Sequence, residues 1–242
     1  MSAKLRRTVL TTISTGNEEL DTRLGGGIPH PSFILIEGDN GSGKTTLSLQ
    51  FVLGALLSGL NVVYVSTEST ARHLLSQSRN VTIDLMKYYV RGQLVVYTIY
   101  NPGIEWSAGW VKASFNRLLS SMAEMSTKFN LVVIDSLTPL LKHLSYDDLP
   151  RLIHTARLLV STGTSLIATL HQDVVEEVLA KHLRAASDVY YQLGFASIGG
   201  RQVKVLKVVK VRGVPGLAET TIAFDVDPAF GIKIVPIAAA QA

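Results

Sequence analysis

Residues 37–46, EGDNGSGKTT, lie between two strongly apolar segments and decide the fold. Before them, residues 31–38 (PSFILIEG) form a short continuous apolar run that ends in glycine, as a buried parallel strand does. After them, residues 45–59 (TTLSLQFVLGALLSG) carry apolar side chains at helical spacing and end at Gly59. The glycine-rich stretch is therefore predicted to be a loop that joins a buried strand to a helix.

This loop matches the pattern G-x-x-x-x-G-K-[ST] in the context that the pattern requires, after a strand and before a helix. Glycines let consecutive backbone N–H groups curl around an anion, and the following helix points its positive end at the same place. Lys44 is predicted to reach the β- and γ-phosphates, Thr45 to offer its hydroxyl to Mg²⁺, and Thr46 to contact the α-phosphate. The residues predicted to bind a nucleoside triphosphate here are Gly38, Asp39, Asn40, Gly41, Ser42, Gly43, Lys44, Thr45 and Thr46.

A second metal ligand is needed beside such a loop, and it is normally an Asp at the end of a neighbouring hydrophobic strand. Residues 131–135, LVVID, supply one. The ordinary alternative is an Asp that only caps the end of its strand. Four apolar residues followed by one acid, well downstream of the loop, favour the metal role, so Thr45 and Asp135 are the predicted magnesium ligands.

Glu68 lies at the end of the strand that follows the P-loop helix. At that position it can hold and polarise the water that attacks a γ-phosphate. The alternative is an ordinary acid near a helix start, because Ser66, Thr67, Ser69 and Thr70 surround it. A nearby hydroxyl can also accept the γ-phosphate, so autophosphorylation of Thr67, Ser69 or Thr70 stays open.

Two further groups are expected near the nucleotide. His171 and Gln172 end the strand that follows Asp135, where a polar side chain can hydrogen-bond the γ-phosphate and report hydrolysis; the alternative is an ordinary polar surface group. The glycine bend at residues 25–27 is expected to pack near the base or sugar.

Lys210 and Arg212 alternate along residues 206–213, LKVVKVRG, and alternation places them on one face of a strand. Lys204 shares their parity. A solvated strand face is one interpretation, and a pair of basic fingers that reach a neighbouring subunit's nucleotide in a ring is the other. Composition alone does not choose between them.

The 242 residues, 47% of them hydrophobic, suit one globular domain spanning residues 1–242. The absence of cysteine excludes disulfides, thiolate zinc sites and cysteine nucleophiles. No apolar run is long enough for a signal peptide or a membrane span, so a cytoplasmic protein is expected. The net charge is mild, 23 − 19 = +4, and the basic residues are scattered, so no nucleic-acid partner is expected.

Strand-like and helix-like segments alternate up to about residue 185, which predicts an α/β fold with a mostly parallel sheet and helices on both faces. The pattern then changes. Two strand-like runs flank Gly199-Gly200, and residues 220–236 hold another pair, so a C-terminal antiparallel β extension is predicted.

Several segments occur in the order found in KaiC-like ATPases of the RecA superfamily, and the chain resembles that family over about residues 12–236. The segments that carry the resemblance are ISTG at 13–16, LD at 20–21, LGGGIP at 24–29, the P-loop, STES at 66–69, LVVIDS at 131–136 and VKVRG at 209–213.

The resemblance implies a RecA-like core that binds ATP and assembles into a hexameric ring with nucleotide at the subunit interfaces. Lys210 and Arg212 would then act on the neighbouring subunit's γ-phosphate. Glu68 matches the first of two adjacent acids that the circadian-clock members carry, and Ser69 replaces the second. That departure implies at most weak ATPase or autokinase activity, with ATP binding itself as the signal.

Within the family, the chain looks most like the members that serve the archaellum, the archaeal flagellum. That likeness implies a ring docked beside the motor's secretion-type ATPase and below its polytopic membrane platform, at the inner face of the cell membrane. The alternative is a RecA/RadA-type DNA recombination ATPase. Such an enzyme needs a basic, glycine-rich loop after Asp135, whereas residues 136–150 hold one lysine, one histidine and two acids.

Overall fold

The computed structural model describes residues 11–99, 103 and 106–236. The strands are β1 (Thr11–Ile13), β2 (Ile28–His30), β3 (Phe33–Gly38), β4 (Val62–Ser66), β5 (Leu94–Thr98), β6 (Leu131–Asp135), β7 (Ser165–His171), β8 (Val189–Ile198), β9 (Arg201–Lys210), β10 (Thr221–Asp227) and β11 (Gly231–Ile234). The helices are α1 (Glu18–Arg23), α2 (Lys44–Leu57), α3 (Ala71–Arg79), α4 (Met86–Val90), α5 (Ala108–Lys128), α6 (Thr138–Leu141), α7 (Leu149–Ser161) and α8 (Glu177–Ala186). None of the helices in this part of the chain is long and apolar enough to cross a membrane.

Nine of the strands form one sheet in the order β11-β10-β9-β8-β3-β7-β6-β4-β5. The strands from β8 through β3 to β5 pair in parallel, whereas β8, β9, β10 and β11 pair antiparallel in succession. The predicted parallel core and antiparallel extension are therefore both present. The extension is continuous with the core, because β8 pairs with β3 on one side and with β9 on the other.

The inner parallel strands β3, β4, β6 and β7 are buried on both faces, and their successive side chains enter two different hydrophobic clusters. In β3, Ile34 and Ile36 pack with α2, whereas Phe33 and Leu35 pack with α5 and α7. The predicted arrangement of helices on both faces is confirmed. The helices packed on each face hold the strands in place, and the ends of the strands in turn position the candidate site.

Two helices begin without a local start signal. Helix α8 begins after Glu176, whose side chain makes no capping hydrogen bond. Helix α4 begins at Met86, after Leu85, which likewise offers no side-chain cap. Thr82 adopts a positive φ of 61°, which interrupts helical backbone before that point.

The glycine bend at residues 25–27 does not approach the P-loop of its own chain, so its packing near the base or sugar stays a prediction. The bend precedes β2 and lies at the end of the sheet where β3 begins, whereas the P-loop follows the other end of β3. Gly216 N–H donates a 3.0 Å hydrogen bond to Gly25 O. A Cβ on Gly25, which has a φ of +82°, would lie 2.8 Å from Gly216 O, so the bend is shaped to hold the loop that follows β9.

Candidate nucleotide and magnesium site

The ends of four parallel strands meet at one end of the sheet, which we call the carboxyl end. β3 ends at Gly38, β4 at Ser66, β6 at Asp135 and β7 at His171, and these strands are neighbours in the order β3-β7-β6-β4. Loops at the carboxyl ends of parallel strands are where open α/β sheets bind ligands. The topology therefore brings the P-loop (residues 38–45), Glu68, Asp135 and His171 to one place.

The P-loop has the backbone of an anion cradle. Gly41 and Gly43 have φ values of +75° and +100°, which only glycine adopts without strain. A Cβ on Gly38 would lie 2.5 Å from Leu193 O and 2.8 Å from Ser42 Oγ, so the loop tolerates no side chain there. Ser42 Oγ is buried and has no hydrogen-bond partner among the described residues. An unsatisfied buried hydroxyl in this position fits a loop built to meet phosphate oxygens.

Lys44, the first residue of α2, turns back over this loop. Its Nζ donates hydrogen bonds to the carbonyl oxygens of Gly38 at 2.9 Å and Asp39 at 2.8 Å. Burial lowers the pKa of Lys44, and the nearby carboxylates of Asp135 and Glu68 oppose that shift. A buried ammonium among these groups suits a phosphate, which replaces the neutral carbonyl acceptors with anionic oxygens.

Asp135 lies within hydrogen-bonding distance of three hydroxyl groups. Thr45 Oγ1 donates to its Oδ2 at 2.8 Å, Tyr64 OH donates to the same oxygen at 2.6 Å, and Thr169 Oγ1 donates to Oδ1 at 2.6 Å. A carboxylate beside the P-loop hydroxyl is the donor set that Mg²⁺ uses in P-loop proteins. The residues present therefore fit the predicted metal.

The sequence analysis missed Tyr64 and Thr169. Tyr64 lies two residues before Ser66, the end of β4, and Thr169 lies two residues before His171, the end of β7. Because side chains alternate along a strand, Tyr64 and Thr169 both point to the side of the sheet that packs against α2. Asp135 projects to the same side. A search for polar residues at that parity in strands flanking β6 would have found them.

Glu68 is joined to two polar neighbours. His171 Nε2 lies 2.8 Å from Glu68 Oε1, and Ser136 Oγ donates to the same oxygen at 3.0 Å. The hydrogen bond from His171 holds the pKa of Glu68 below its usual value, although burial opposes the shift. His171 thus contacts Glu68, the candidate catalytic carboxylate. The Glu68 carboxylate stays ionised, and one of its oxygens is held in place by these hydrogen bonds.

A cavity of about 550 Å³ opens beside this pair. Asn40 of the P-loop, Glu68 and His171 line it together with Lys142 and Trp106. Its position places the exposed end of the P-loop and the candidate catalytic acid around one space, which is the geometry that the γ-phosphate end of a nucleotide requires.

The remaining predicted residues occupy less informative positions. Gln172 N–H donates to Gly38 O at 3.1 Å, so this residue supports the P-loop through its backbone. Thr46 is half-buried in the first turn of α2. Among the hydroxyls considered for phosphorylation, Thr67 is buried and donates to Ser136 O at 2.8 Å, whereas Thr70 caps α3 by accepting from His73 N–H.

Lys210 lies at the opposite end of the sheet, which we call the amino end. It is the last residue of β9 and pairs with Tyr190 near the start of β8. Its Nζ donates to Arg184 O at 3.2 Å, to Ala185 O at 3.1 Å and to Ser187 O. The ammonium therefore caps the C-terminus of α8, so within one chain it does not reach the P-loop.

A β-bulge changes the expected grouping of the basic residues. The register of β8 and β9 shifts between Tyr190 and Tyr191, so that Tyr191 pairs with Val208 and Tyr190 with Lys210. The extra residue in β9 reverses the alternation beyond it. Lys210 and Lys204 consequently lie on opposite faces, and the shared face inferred from parity is wrong. Arg212 follows the end of β9 and is exposed.

Lys204 instead lies beside the P-loop of its own chain. An ideal Cβ on Gly43 would be 3.5 Å from Lys204 Cδ and 3.4 Å from the ring of Phe224. Lys204 Nζ lies 3.8 Å from Asp225 Oδ1. The antiparallel extension therefore forms one wall of the P-loop and brings a second amine to it. The sequence analysis missed this position of Lys204 because it depends on the pairing of β9 with β8 and β10.

A buried ion pair lies directly before the P-loop. Glu37 is 1% exposed, and Arg184 of α8 donates to both of its carboxylate oxygens, at 2.7 and 2.6 Å. Tyr190 OH donates a third hydrogen bond at 2.7 Å. Because the carboxylate is fully paired, the pair fixes α8 against the strand that carries the loop.

Comparison with known proteins identifies the family. The family model described as "ATPase: KaiC" matches residues 13–239. The archaeal flagellar ATP-binding protein FlaH of Sulfolobus acidocaldarius is 39% identical over 95% of this chain and 99% of its own length. FlaH of Methanocaldococcus jannaschii is 26% identical over 93% of this chain and 95% of its own.

A solved structure agrees with the observed fold. The crystal structure of the flagellar accessory protein FlaH from Methanocaldococcus jannaschii superposes with a TM-score of 0.82 over 94% of this chain and 99% of that chain, at 24% identity. The RecA-like core with its antiparallel C-terminal strands, predicted from the sequence, is confirmed. The sequence match, the P-loop and the fold agree, and the chain belongs to the KaiC-like ATPases.

Proposed function

We propose that this chain is an ATP-binding subunit of the archaellum motor, which assembles into a hexameric ring and acts through ATP binding more than through turnover. The observation that carries the proposal is the 2.8 Å contact between Thr45 and Asp135 beside a P-loop cradle. The family match and the 39% identity to an archaeal flagellar ATP-binding protein supply the biological setting.

In this proposal, the P-loop amides and Lys44 hold the phosphates of ATP, and Thr45 and Asp135 hold Mg²⁺. Magnesium held there would supply positive charge against the phosphates. Within the chain, Asp135 is preoriented by its hydroxyl partners, and Glu68 faces the cavity at the exposed end of the loop. Binding therefore needs little rearrangement of the carboxylate.

Slow turnover follows from the state of Glu68. A general base is most effective when its pKa lies near the working pH. The contact with His171 holds the pKa of Glu68 low, and Ser69 stands where clock members of the family carry a second acid. Ser69, whose hydroxyl lies 3.1 Å from Ser66 Oγ, is the residue that we assign to any autokinase activity, because Thr67 is buried and Thr70 caps a helix.

The ring supplies what one chain lacks. Lys210 and Arg212 lie at the amino end of the sheet, so they can act only on the nucleotide of a neighbouring subunit. A ring in which the amino end of one chain faces the carboxyl end of the next would satisfy this need. We further propose that the ring docks beside the motor's ATPase and below its membrane platform, and is held at the inner face of the membrane through these partners.

Titration calorimetry with MgATP tests the binding site. Wild type is expected to bind with micromolar affinity or tighter, and Lys44→Ala to bind at least about 100-fold more weakly, because a buried charge contact is lost. Lys181→Ala, which alters an exposed lysine on α8, is the matched control and keeps wild-type affinity. Equal binding by Lys44→Ala and wild type would refute the site.

Assembly and partners need separate measurements. Light scattering after gel filtration is expected to give the mass of a hexamer with MgATP, and a monomer mass under every condition would contradict the ring. Pull-down from archaeal membranes with tagged protein, with and without ATP, is expected to recover the motor ATPase and the platform protein. A salt-sensitive gel shift with single-stranded DNA would instead favour the recombination alternative.

A further inference from the structure

Tyr64 is a fully buried tyrosine whose hydroxyl contacts the candidate metal ligand. It lies in the middle of β4, is 0% exposed, and its OH donates to Asp135 Oδ2 at 2.6 Å. A phenol hydroxyl has one proton to donate, and here it is directed at this carboxylate oxygen.

The two carboxylate oxygens of Asp135 are held from different strands. Thr169 of β7 donates to Oδ1 from one side of β6, and Tyr64 of β4 donates to Oδ2 from the other. Both donors are 0% exposed. The side chain of Asp135 is thus clamped between the two strands that flank its own, and it has little freedom to rotate.

The third partner is the P-loop hydroxyl. Thr45 Oγ1 donates to the same Oδ2 that Tyr64 contacts. The Tyr64 hydrogen bond therefore sets the position of the oxygen that lies nearest the predicted Mg²⁺ ligand on α2. Groups that hydrogen-bond a metal-binding carboxylate orient it, and their loss commonly weakens metal binding by about 10-fold to 100-fold.

We propose that Tyr64 is a positioning residue for magnesium, and that Thr169 is its counterpart on the other oxygen. Together they hold Asp135 in the orientation that the small, strictly octahedral Mg²⁺ needs. This inference rests on the proposed function, because it takes Asp135 as the metal ligand. It assigns to two buried strand residues a role in metal affinity that is separate from their packing.

The chain offers a matched control for Tyr64. Tyr191 is also a fully buried tyrosine on the same side of the sheet, but its hydroxyl has no hydrogen-bond partner in the described part of the chain. Tyr64→Phe and Tyr191→Phe remove the same atom from the same hydrophobic cluster. Only the first change removes a contact with Asp135.

The test compares ATP affinity by calorimetry in excess Mg²⁺ and in excess chelator. The ratio of the two dissociation constants measures how much Mg²⁺ strengthens binding. Tyr64→Phe is expected to reduce that ratio about tenfold while leaving affinity in chelator unchanged. Tyr191→Phe is expected to keep the wild-type ratio, and an unchanged ratio in Tyr64→Phe would overturn the proposal.

Thr169 keeps the test decisive if Tyr64→Phe does not fold. Thr169→Val is expected to reduce the ratio, and Thr169→Ser, which restores a hydroxyl, to recover it. Equal ratios in these two variants would count against the clamp. Asp135→Asn distinguishes a failure of the proposed metal site from a failure of the proposed positioning role. If Asp135→Asn abolishes the Mg²⁺ effect while Tyr64→Phe and Thr169→Val retain it, the proposed function stands and this inference fails. A wild type without any Mg²⁺ effect contradicts both.

Discussion

The two ends of the sheet are built in different ways. At the carboxyl end, side chains from four strands converge, and the P-loop, Asp135 and Glu68 form a connected polar site. At the amino end, backbone contacts predominate: Lys210 is bound to carbonyl oxygens at the end of α8, and the following loop is held by Gly25. The carboxyl end has the side chains to bind a ligand, whereas the amino end holds the loop that follows β9 in place.

This difference indicates what a single chain can do. The carboxyl end holds the groups for gripping phosphate and metal, but the basic residues expected to act on the γ-phosphate lie at the far end. Helix α8 connects the two, because Arg184 binds Glu37 before the P-loop while the carbonyl of the same residue accepts from Lys210. Substitutions at this connection and then at each end test the difference between the two ends.

The largest effect is expected at the connection. Arg184→Met leaves the carboxylate of Glu37 buried without its ionic partner, and breaking a buried pair in this way costs about 3 kcal/mol of the free energy of unfolding. Urea denaturation measures it. Glu177→Gln removes only the exposed partner of Arg184 and is expected to cost less than about 0.5 kcal/mol. Similar losses in the two variants would show that α8 is not anchored through Glu37.

A smaller effect is expected at the amino end. Lys210→Met removes the ammonium that caps α8 and is expected to destabilise the chain by about 1 kcal/mol in urea, without nucleotide. Arg212→Met, at an exposed position past the strand, is expected to change stability by less than about 0.5 kcal/mol. If Lys210→Met is as silent as Arg212→Met, the described capping contact contributes nothing, and the contrast between the ends weakens.

The smallest effect concerns pH at the carboxyl end. Because the folded pKa of Glu68 is depressed below 4.5, its ionised form stabilises the fold above that value, and this contribution is lost as the pH falls through the folded pKa. Wild type is therefore expected to gain stability relative to Glu68→Gln as the pH rises from about 3 to about 5.5. Denaturation curves across this range measure the gain.

The same pH comparison is repeated in protein that carries His171→Ala. Since the hydrogen bond from His171 is the largest cause of the depressed pKa, the pH-dependent gain is expected to shrink in this background. A gain of the same size with and without His171 would mean that another group sets the ionisation of Glu68.

Local patterns were enough to predict the parts of the site that depend on one segment. The P-loop and Asp135 each combine a strand signal with a polar residue at its end, and parallel topology then brings the ends together. The alternation of strands and helices likewise predicted the parallel core and its antiparallel extension. These features depend on short stretches whose chemistry is independent of the rest of the chain.

The sequence was less informative where position depends on another strand. Tyr64 and Thr169 gain their roles from lying on either side of Asp135, and their polar groups inside buried strands indicate this only once the order of the strands is known. Lys204 and Lys210 appear equivalent by parity, and only the bulge in β9 separates them. A single inserted residue reverses every side chain beyond it, which a count along one strand cannot detect.

The pairing of β8 with β3 has a consequence for how the protein is made. During synthesis, β3 gains its second neighbour only after residues 189–193 have left the ribosome, long after the P-loop itself has emerged. Leu193 O then closes against Gly38, so the P-loop is shaped by a strand that is translated long after the loop itself. A nascent or truncated chain that stops short of β8 carries the complete P-loop motif without the strand that shapes it.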